Sequence, residues 1–556
     1  MSAFSALPAR VILGLALLAI IGWPAIATVR EAALAWSDRS GALGAAGGSL
    51  DPTGSAELLR DTGELARPLR LAIETGGLVA ATLALALPLG VVLALFLFRT
   101  DVWGRRPLLA LIGLSAFVPL PLHATAWLGA LGNAGRAQAF GIRPLLIGHL
   151  GAAVVHALGA LPWVVLIVGV GLCAVEPELE ESALLTYGPV GVLLKVTLRR
   201  AWGAIAAASL AVAVLTAGDM TVTDLLQIRT YAEEAYLQYS LGRGPGGAAL
   251  VAIPPLVVLG LLIVFVGRLL ARLDPARVVS SFSRARVWHL GRWRLPCGLL
   301  LAALVGNAAA VPLYSLVWRA GRVGGRATLG RPPHWSLAGL AGTLQNAGEE
   351  IWEPLQQSLV CTAVAATATA FLACVLAWAS RTSFGWRCVA LMTLALTLAT
   401  PGPVAGMALV LAYRNLPSVY DSSAMVVMAE AFRTLPYALL ILWPFLRSFP
   451  QELLDAAALD GLTTWGQLVR VVIPLSRRAL VAAWAIAFAI GLGELPATNL
   501  VAPPGTQPMP VVIWGLLHTG VESHLSGVAL IMLIVVFGAG LFAAAAVRLL
   551  RPPITP

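Results

Sequence analysis

Charged side chains are scarce in this 556-residue sequence: Asp, Glu, Lys and Arg make up 12% of it, while 59% of the residues are hydrophobic. Soluble globular domains carry charge on about a quarter of their residues, so this composition excludes an ordinary soluble fold. Apolar runs of about 20 residues, the length that a helix needs to cross a bilayer, recur along the whole chain. The sequence therefore predicts an all-α integral membrane protein.

The apolar runs predict about twelve membrane spans in two sets of six. The first set lies near 11–30, 71–98, 107–132, 147–174, 202–218 and 246–270. The second set lies near 297–318, 355–380, 388–412, 424–447, 479–500 and 525–549. The first run contains the small-residue sequence AIA, which is also typical of a cleaved signal peptide. Its near-complete spanning length favours an uncleaved first span.

Lysine is almost absent, since Lys195 is the only one and Val196 follows it. A phosphate-gripping P-loop needs Gly-Lys-Ser or Gly-Lys-Thr, so this chain contains none. If ATP powers the protein, another polypeptide hydrolyses it. The five cysteines form no CxxC pair and the seven histidines show no metal-ligand spacing. We therefore predict no catalytic residue, no metal site and no cofactor bound by this chain.

Basic residues are abundant only as arginine, and the net charge of +10 could suggest nucleic-acid binding. Their positions argue against it, because most of them fall in alternate loops between predicted spans. This is the pattern of the positive-inside rule. It predicts a multi-pass protein with both termini in the cytoplasm and no nucleic-acid partner.

Two segments of the chain repeat each other at a shift of 275 positions. GDMTVTDLL at 218–226 matches GELPATNLV at 493–501, and KVTL at 195–198 matches RVVI at 470–473. We therefore predict two homologous halves, 1–275 and 296–556, joined by a basic cytoplasmic linker at 276–295. Parallel repeats of this kind face each other in transporters, with a pathway between them.

A polar stretch between the tenth and eleventh predicted spans reads DAAALDGLTTWGQLVRVVIP. Asp455, Ala456 and Ala457, then Gly461, and finally Pro474 keep the spacing E-A-A, three residues, G, nine residues, hydrophobic-x-hydrophobic-Pro. This signature resembles that of the membrane permeases of binding-protein-dependent ABC importers, with Asp455 where glutamate is usual. The alternative is an ordinary amphipathic cytoplasmic loop. We expect a short helix ended by Gly461 with a positive φ, and a second one stopped by Pro474.

The first half carries a degenerate copy of this motif within 177–200. Glu181 and Ala183 occupy E-A-A positions, Tyr187 falls where glycine is expected, and Gly188 follows one residue later. The predicted coupling loops are thus 177–200 and 450–475. The resemblance implies that each loop seats in a groove of a separate ATPase subunit, although the degenerate copy leaves the first loop's contribution open.

The resemblance also implies the fold and the partners. We expect the type I importer permease fold, two copies of a cytoplasmic ATP-binding subunit that holds ATP and Mg, and a periplasmic or lipid-anchored solute-binding protein. The expected location is the bacterial inner membrane. The fused layout and GELPATNLVAPPG at 493–505 resemble the ferric-iron type, and thiamine, polyamine, phosphonate and sulfate permeases are alternatives. An ion-coupled secondary transporter is the alternative of a different class.

Acidic and hydroxyl side chains in the repeated segments are the candidates for the solute pathway. An acidic side chain inside a membrane is energetically unfavourable and therefore usually has a functional role. We select the acids Asp219, Asp224 and Glu494, together with Thr498. Carboxylate oxygens would suit a passing Fe³⁺. The alternative for the acids is that they cap helices at the outer interface.

Overall fold

The computed structural model describes residues 7–46, 54–133, 143–240, 287–324, 334–519 and 522–549, with six single positions between 253 and 264. Apart from those single positions, the predicted sixth span lies outside these residues, and so does most of the predicted linker. The division into domains at 275 and 296 therefore stays a prediction.

Helices form nearly all of the described N-terminal part. They are α1 (Leu7–Leu17), α2 (Trp23–Ala46), α3 (Gly54–Arg99), α4 (Arg105–Ser115), α5 (Leu120–Leu131), α6 (Gly148–Cys173), α7 (Pro177–Leu184), α8 (Pro189–Val192), α9 (Leu198–Arg200), α10 (Trp202–Ala217), α11 (Thr221–Leu225) and α12 (Tyr231–Ser240). Two π-helical turns, Leu18–Gly22 and Leu193–Thr197, join α1 to α2 and α8 to α9.

The C-terminal part repeats this order after a 3-10 turn at Gly291–Trp293. Its helices are α13 (Arg294–Ala320), α14 (Leu337–Thr382), α15 (Phe384–Ala399), α16 (Gly402–Tyr413), α17 (Pro417–Tyr420), α18 (Ala424–Arg447), α19 (Gln451–Leu459), α20 (Thr464–Gln467), α21 (Ile473–Leu492), α22 (Thr498–Val501), α23 (Met509–Thr519) and α24 (Glu522–Leu549). A π-helical turn, Leu468–Val472, joins α20 to α21, and strands β1 (Arg322–Val323) and β2 (His334–Trp335) pair antiparallel.

Eight of the described helices are long and apolar enough to cross a membrane, and 11 spans result if each strongly bent helix pair counts as one. The prediction of an all-α membrane protein is confirmed. The third and ninth predicted spans are not straight, however: α4 and α5 meet at 108°, and α15 and α16 meet at 111°.

Proline explains both bends. Pro119 precedes α5 and Pro401 precedes α16, and each new helix has a second proline in its first turn. Proline lacks the backbone donor that a continuing helix needs and disfavours helical geometry in the residue before it, but it suits the first turn of a new helix. Each proline pair therefore ends one helix and starts another in a new direction.

The first helix of each predicted half packs on the bent pair of the other half. The Trp23 indole Nε1 donates to the Ala412 carbonyl at 3.0 Å, and the Tyr413 hydroxyl donates to the Ala19 carbonyl at 2.8 Å. On the other side, Leu316 of α13 shares a buried cluster with Leu122 of α5. The two parts are interlocked, which fixes the walls of the space between them.

Candidate functional site

The polar stretch of the C-terminal part forms α19 and α20. Gly461 has φ +82°, and the amide of Leu462 donates to the Ala457 carbonyl at 3.0 Å, so α19 ends at a left-handed glycine as predicted. Asp455 and Ala456 are exposed, whereas Ala457 is buried against the protein itself.

The expectation for Pro474 is wrong, because it does not stop a helix. It is the second residue of α21, and the π-helical turn before it continues the chain directly from α20. Thr464–Leu492 form one helical segment, and the π-helical turn Leu468–Val472 lies just before the proline. Pro474 therefore lies inside a continuous helix, beside a local irregularity of the kind that accompanies proline.

Arg381 at the end of α14 holds α19 against the membrane helices. Its Nη1 donates to the Leu446 carbonyl at 2.9 Å, and its Nη2 donates to the Phe449 carbonyl at 2.9 Å and to Gln451 Oε1 at 2.8 Å. Gln451 Nε2 in turn donates to Asp455 Oδ1 at 2.9 Å. A charge-assisted hydrogen bond from the Arg381 guanidinium to the Gln451 side chain therefore connects α14 to α19.

In the first half, the acid that anchors the loop is Glu180 rather than Glu181. Glu180 is fully buried in α7 and contacts the guanidinium of Arg99, while Thr197 Oγ1 donates to Glu180 Oε1 at 2.6 Å. Glu181 is exposed and Ala183 is half-buried.

Gly188 does not end α7 with a positive φ. Its φ is −66°, and it caps the start of α8.

Two leucines stand out at the ends of α7 and α19. Leu185 follows α7 directly and is 90% exposed, and Leu459 is the last residue of α19 and is 89% exposed. They occupy equivalent places, since both follow the first buried residue of their helix by five positions. An exposed apolar side chain therefore occupies the same place in both repeats.

A cavity of about 170 Å³ lies between the two parts of the chain. Its lining includes Asp219 and His156 from the N-terminal part and Glu494 and Arg433 from the C-terminal part. Trp163 and Tyr437 also line it, and their ring centroids are 6.3 Å apart. The repeat-related acids are thus brought together at one space. Asp224 and Thr498 are not part of this lining.

Both cavity acids also cap short helices, which was the alternative interpretation. Asp219 Oδ2 accepts from the amide of Val222 at 2.8 Å. Glu494 Oε2 accepts from the amides of Ala497 at 3.1 Å and Thr498 at 3.0 Å, and from the Thr498 hydroxyl at 3.1 Å. Capping and cavity lining are compatible, because each carboxylate is fixed by backbone donors while its side chain faces the cavity, and the pathway role stays a prediction.

Basic side chains from neighbouring helices face the cavity acids. His156 Nε2 lies 3.6 Å from Asp219 Oδ2, and Arg433 Nε lies 3.5 Å from Glu494 Oε1. Sequence reasoning missed both pairs, since their members are about 60 residues apart in the chain. Outside the cavity, Asp224 Oδ2 is 3.0 Å from His518 Nε2.

Replacing Arg433 with methionine should destabilise the protein by about 2 kcal/mol, because Glu494 would remain buried without its cation. Glu494 keeps its hydrogen bonds from the amides of Ala497 and Thr498, so the loss of stability stays below that of a buried charge without any partner. Thermal unfolding of the purified protein in detergent measures it. Arg447→Met removes an exposed arginine from the same helix and should change little. Equal losses in both variants would contradict the pairing.

Comparison with known proteins finds a family model that matches part of the chain. Residues 361–555, roughly a third of the chain, match the family model described as binding-protein-dependent transport system inner membrane component.

The chain is similar to several curated permeases over part of its length. The spermidine/putrescine transport system permease protein PotC of Haemophilus influenzae is 27% identical over 109 residues, which cover 20% of this chain and 42% of PotC. The trehalose transport system permease protein SugA of Mycobacterium tuberculosis is 36% identical over 86 residues, or 15% of this chain and 28% of SugA. A probable molybdenum ABC transporter permease protein of Haloferax volcanii is 32% identical over 171 residues, or 29% of this chain and 62% of that protein. The matches thus span between about a quarter and three fifths of these relatives, and residues 361–555 are similar to the inner-membrane component of binding-protein-dependent transport systems.

Proposed function

We propose that this chain is the membrane-spanning permease subunit of an ABC importer, in which α7 and α19 are coupling helices that seat in separate ATPase subunits. The observation that carries the proposal is the pair of leucines, Leu185 and Leu459, each about nine-tenths exposed at the end of its helix. Covering an exposed apolar side chain with a partner removes apolar surface from water, which favours association. Two equivalent contact points support two ATPase copies.

The surroundings of the coupling helices support a cytoplasmic position. Lys195, Arg199 and Arg200 follow α7, and Arg470, Arg477 and Arg478 follow α19. Basic residues concentrate on the cytoplasmic side of membrane proteins. ATP and Mg belong to the partner, because the single lysine of this chain is not part of a P-loop.

The central cavity supports a pathway that opens alternately to the two sides. A solute-binding protein delivers the solute on the outer side, and closure of the ATPase subunits moves α7 and α19 and rocks the two parts against each other. Such a shift requires contacts that differ between the two states, and the coupling helices are where an ATPase can provide them. The permease itself makes and breaks no covalent bond.

Ferric iron remains the proposed solute on the sequence resemblance of 493–505 alone. The named relatives are permeases for spermidine and putrescine, trehalose and molybdenum. Polyamine is an alternative that one of these relatives supports, and thiamine, phosphonate and sulfate stay alternatives on the sequence pattern. Among the residues that the structure describes, no group of three His, Cys, Asp or Glu side chains could hold a metal ion, so iron would pass the cavity rather than rest in a dedicated site.

Co-purification with a candidate ATP-binding subunit from the same organism tests the proposal. We expect a stable complex that, once reconstituted in liposomes, takes up solute only with ATP. Parallel uptake of radioactive ferric iron, spermidine and molybdate identifies the class of solute. Uptake by the chain alone under a proton or sodium gradient would instead indicate a secondary transporter.

A further inference from the structure

A buried ionic cluster ties the first coupling helix to a membrane helix. Arg99, the last residue of α3, is 1% exposed, and Glu180 and Thr197 are fully buried. The Arg99 guanidinium contacts one carboxylate oxygen of Glu180, Thr197 donates to the other, and Arg99 Nη1 donates to the Leu172 carbonyl at 3.1 Å. Three elements, α3, α7 and the π-helical turn before α9, therefore meet at one carboxylate.

The second half has an arginine at the equivalent place, but its partners differ. Arg381 lies in the last turn of α14 as Arg99 does in α3, and it donates to the Leu446 carbonyl as Arg99 donates to the corresponding Leu172 carbonyl. The positions of Glu180 and Thr197 are taken by Leu454 and Val472, both buried. Arg381 reaches α19 through an exposed hydrogen bond to the uncharged side chain of Gln451 rather than through a buried carboxylate.

These differences affect how each coupling helix can move. Sliding α7 away from α3 would leave a carboxylate and a guanidinium buried without partners, and removing one member of a buried pair is strongly unfavourable. Sliding α19 disturbs the packing of Leu454 and breaks hydrogen bonds that water can replace, but it separates no buried carboxylate from its cation. A shift of α7 is therefore transmitted to α3, whereas α19 can move relative to α14.

We propose that Arg99, Glu180 and Thr197 form a positioning site that makes α7 a rigid extension of α3, while α19 acts as the compliant coupling helix. Tyr187 stands where the motif has a glycine that would end the helix. The side-chain contacts of this site hold α7 in place without that glycine. The link within the chain stands by itself, and its role in transmitting ATPase movement rests on the proposed function.

Hydrogen exchange of the intact chain in lipid nanodiscs tests the link without any partner. Glu180→Gln keeps the side chain's shape and removes its charge, and Thr197→Val removes only the hydroxyl. We expect amides in 177–188 to exchange roughly tenfold faster in Glu180→Gln and less so in Thr197→Val, with 451–462 unchanged. Glu178→Gln, an exposed acid of the same helix, should match the unsubstituted protein.

Unchanged exchange at 177–188 in both variants would overturn the proposal, and so would an equal rise in both loops, which reports only global destabilisation. In the complex with the ATPase, Glu180→Gln should keep the rate of ATP hydrolysis and lose solute uptake. Equal loss of both activities overturns the coupling role. If no ATPase binds the chain at all, the proposed function fails while the exchange data still decide the link.

Discussion

Replacing Gly461 with arginine should lower the affinity for the ATPase subunit about 100-fold, which corresponds to ~2.7 kcal/mol. Gly461 ends α19 with φ +82°, two residues after the exposed Leu459. An L-residue in this conformation costs roughly 1 kcal/mol, and the arginine places a long charged side chain beside the contact leucine. Titration of the purified permease against the ATPase, in nanodiscs, measures the dissociation constant.

Gly461→Ala separates the two causes. Open space surrounds the position of the added Cβ, with no atom within 4 Å, so alanine introduces the backbone strain without the bulk. We expect it to destabilise the end of α19 locally and to keep most of the binding. If the arginine variant binds as tightly as the alanine variant, α19 is not the docking helix.

The helix of the predicted coupling loop in the second half was predictable because its determinants are local. The spacing from Asp455 to Gly461 describes one short helix and its left-handed end, and both are present. Pro474 was misinterpreted because, in sequence, a proline inside a continuous helix looks like one that stops it. Only the π-helical turn, which connects the two helices without a loop, distinguishes the two cases.

The bends at Pro119 and Pro401 were not predicted, because a bent pair of short apolar helices has the same hydropathy as one straight span. The signal was the repeated Pro-x-Pro, at 119–121 and 401–403, in the middle of apolar runs. A proline at such a place ends one helix and begins another, and it does so at the same point of both halves.

Glu180 was missed because its burial depends on a partner far away in the chain. The sequence PELEES contains three acids, and the motif spacing selected Glu181. Which acid faces inward is decided by Arg99, 81 residues earlier, and by Thr197. The same limit applies to the pairs His156–Asp219 and Arg433–Glu494, which only the assembled helices bring together.

Replacing Gly493 with alanine should destabilise the contact between the two halves by about 1–3 kcal/mol, the usual range for overpacking. An added Cβ would lie 2.7 Å from Cβ and Cγ of Pro119. The proline ring is fixed to the backbone at the bend between α4 and α5 and cannot rotate away. The two parts would have to separate beside Glu494 and the cavity, which should lower solute uptake as well as the unfolding temperature.

The repeat supplies the matched control. Gly218 precedes Asp219 as Gly493 precedes Glu494, and it faces Pro401 as Gly493 faces Pro119. Its added Cβ would lie 3.7 Å from Pro401, an ordinary contact, and 3.1 Å from the Val214 carbonyl. Gly218→Ala should therefore cost less than Gly493→Ala in both thermal unfolding and uptake. If the order of the two is reversed, the close approach of Pro119 to Gly493 is not what holds the halves together at the cavity.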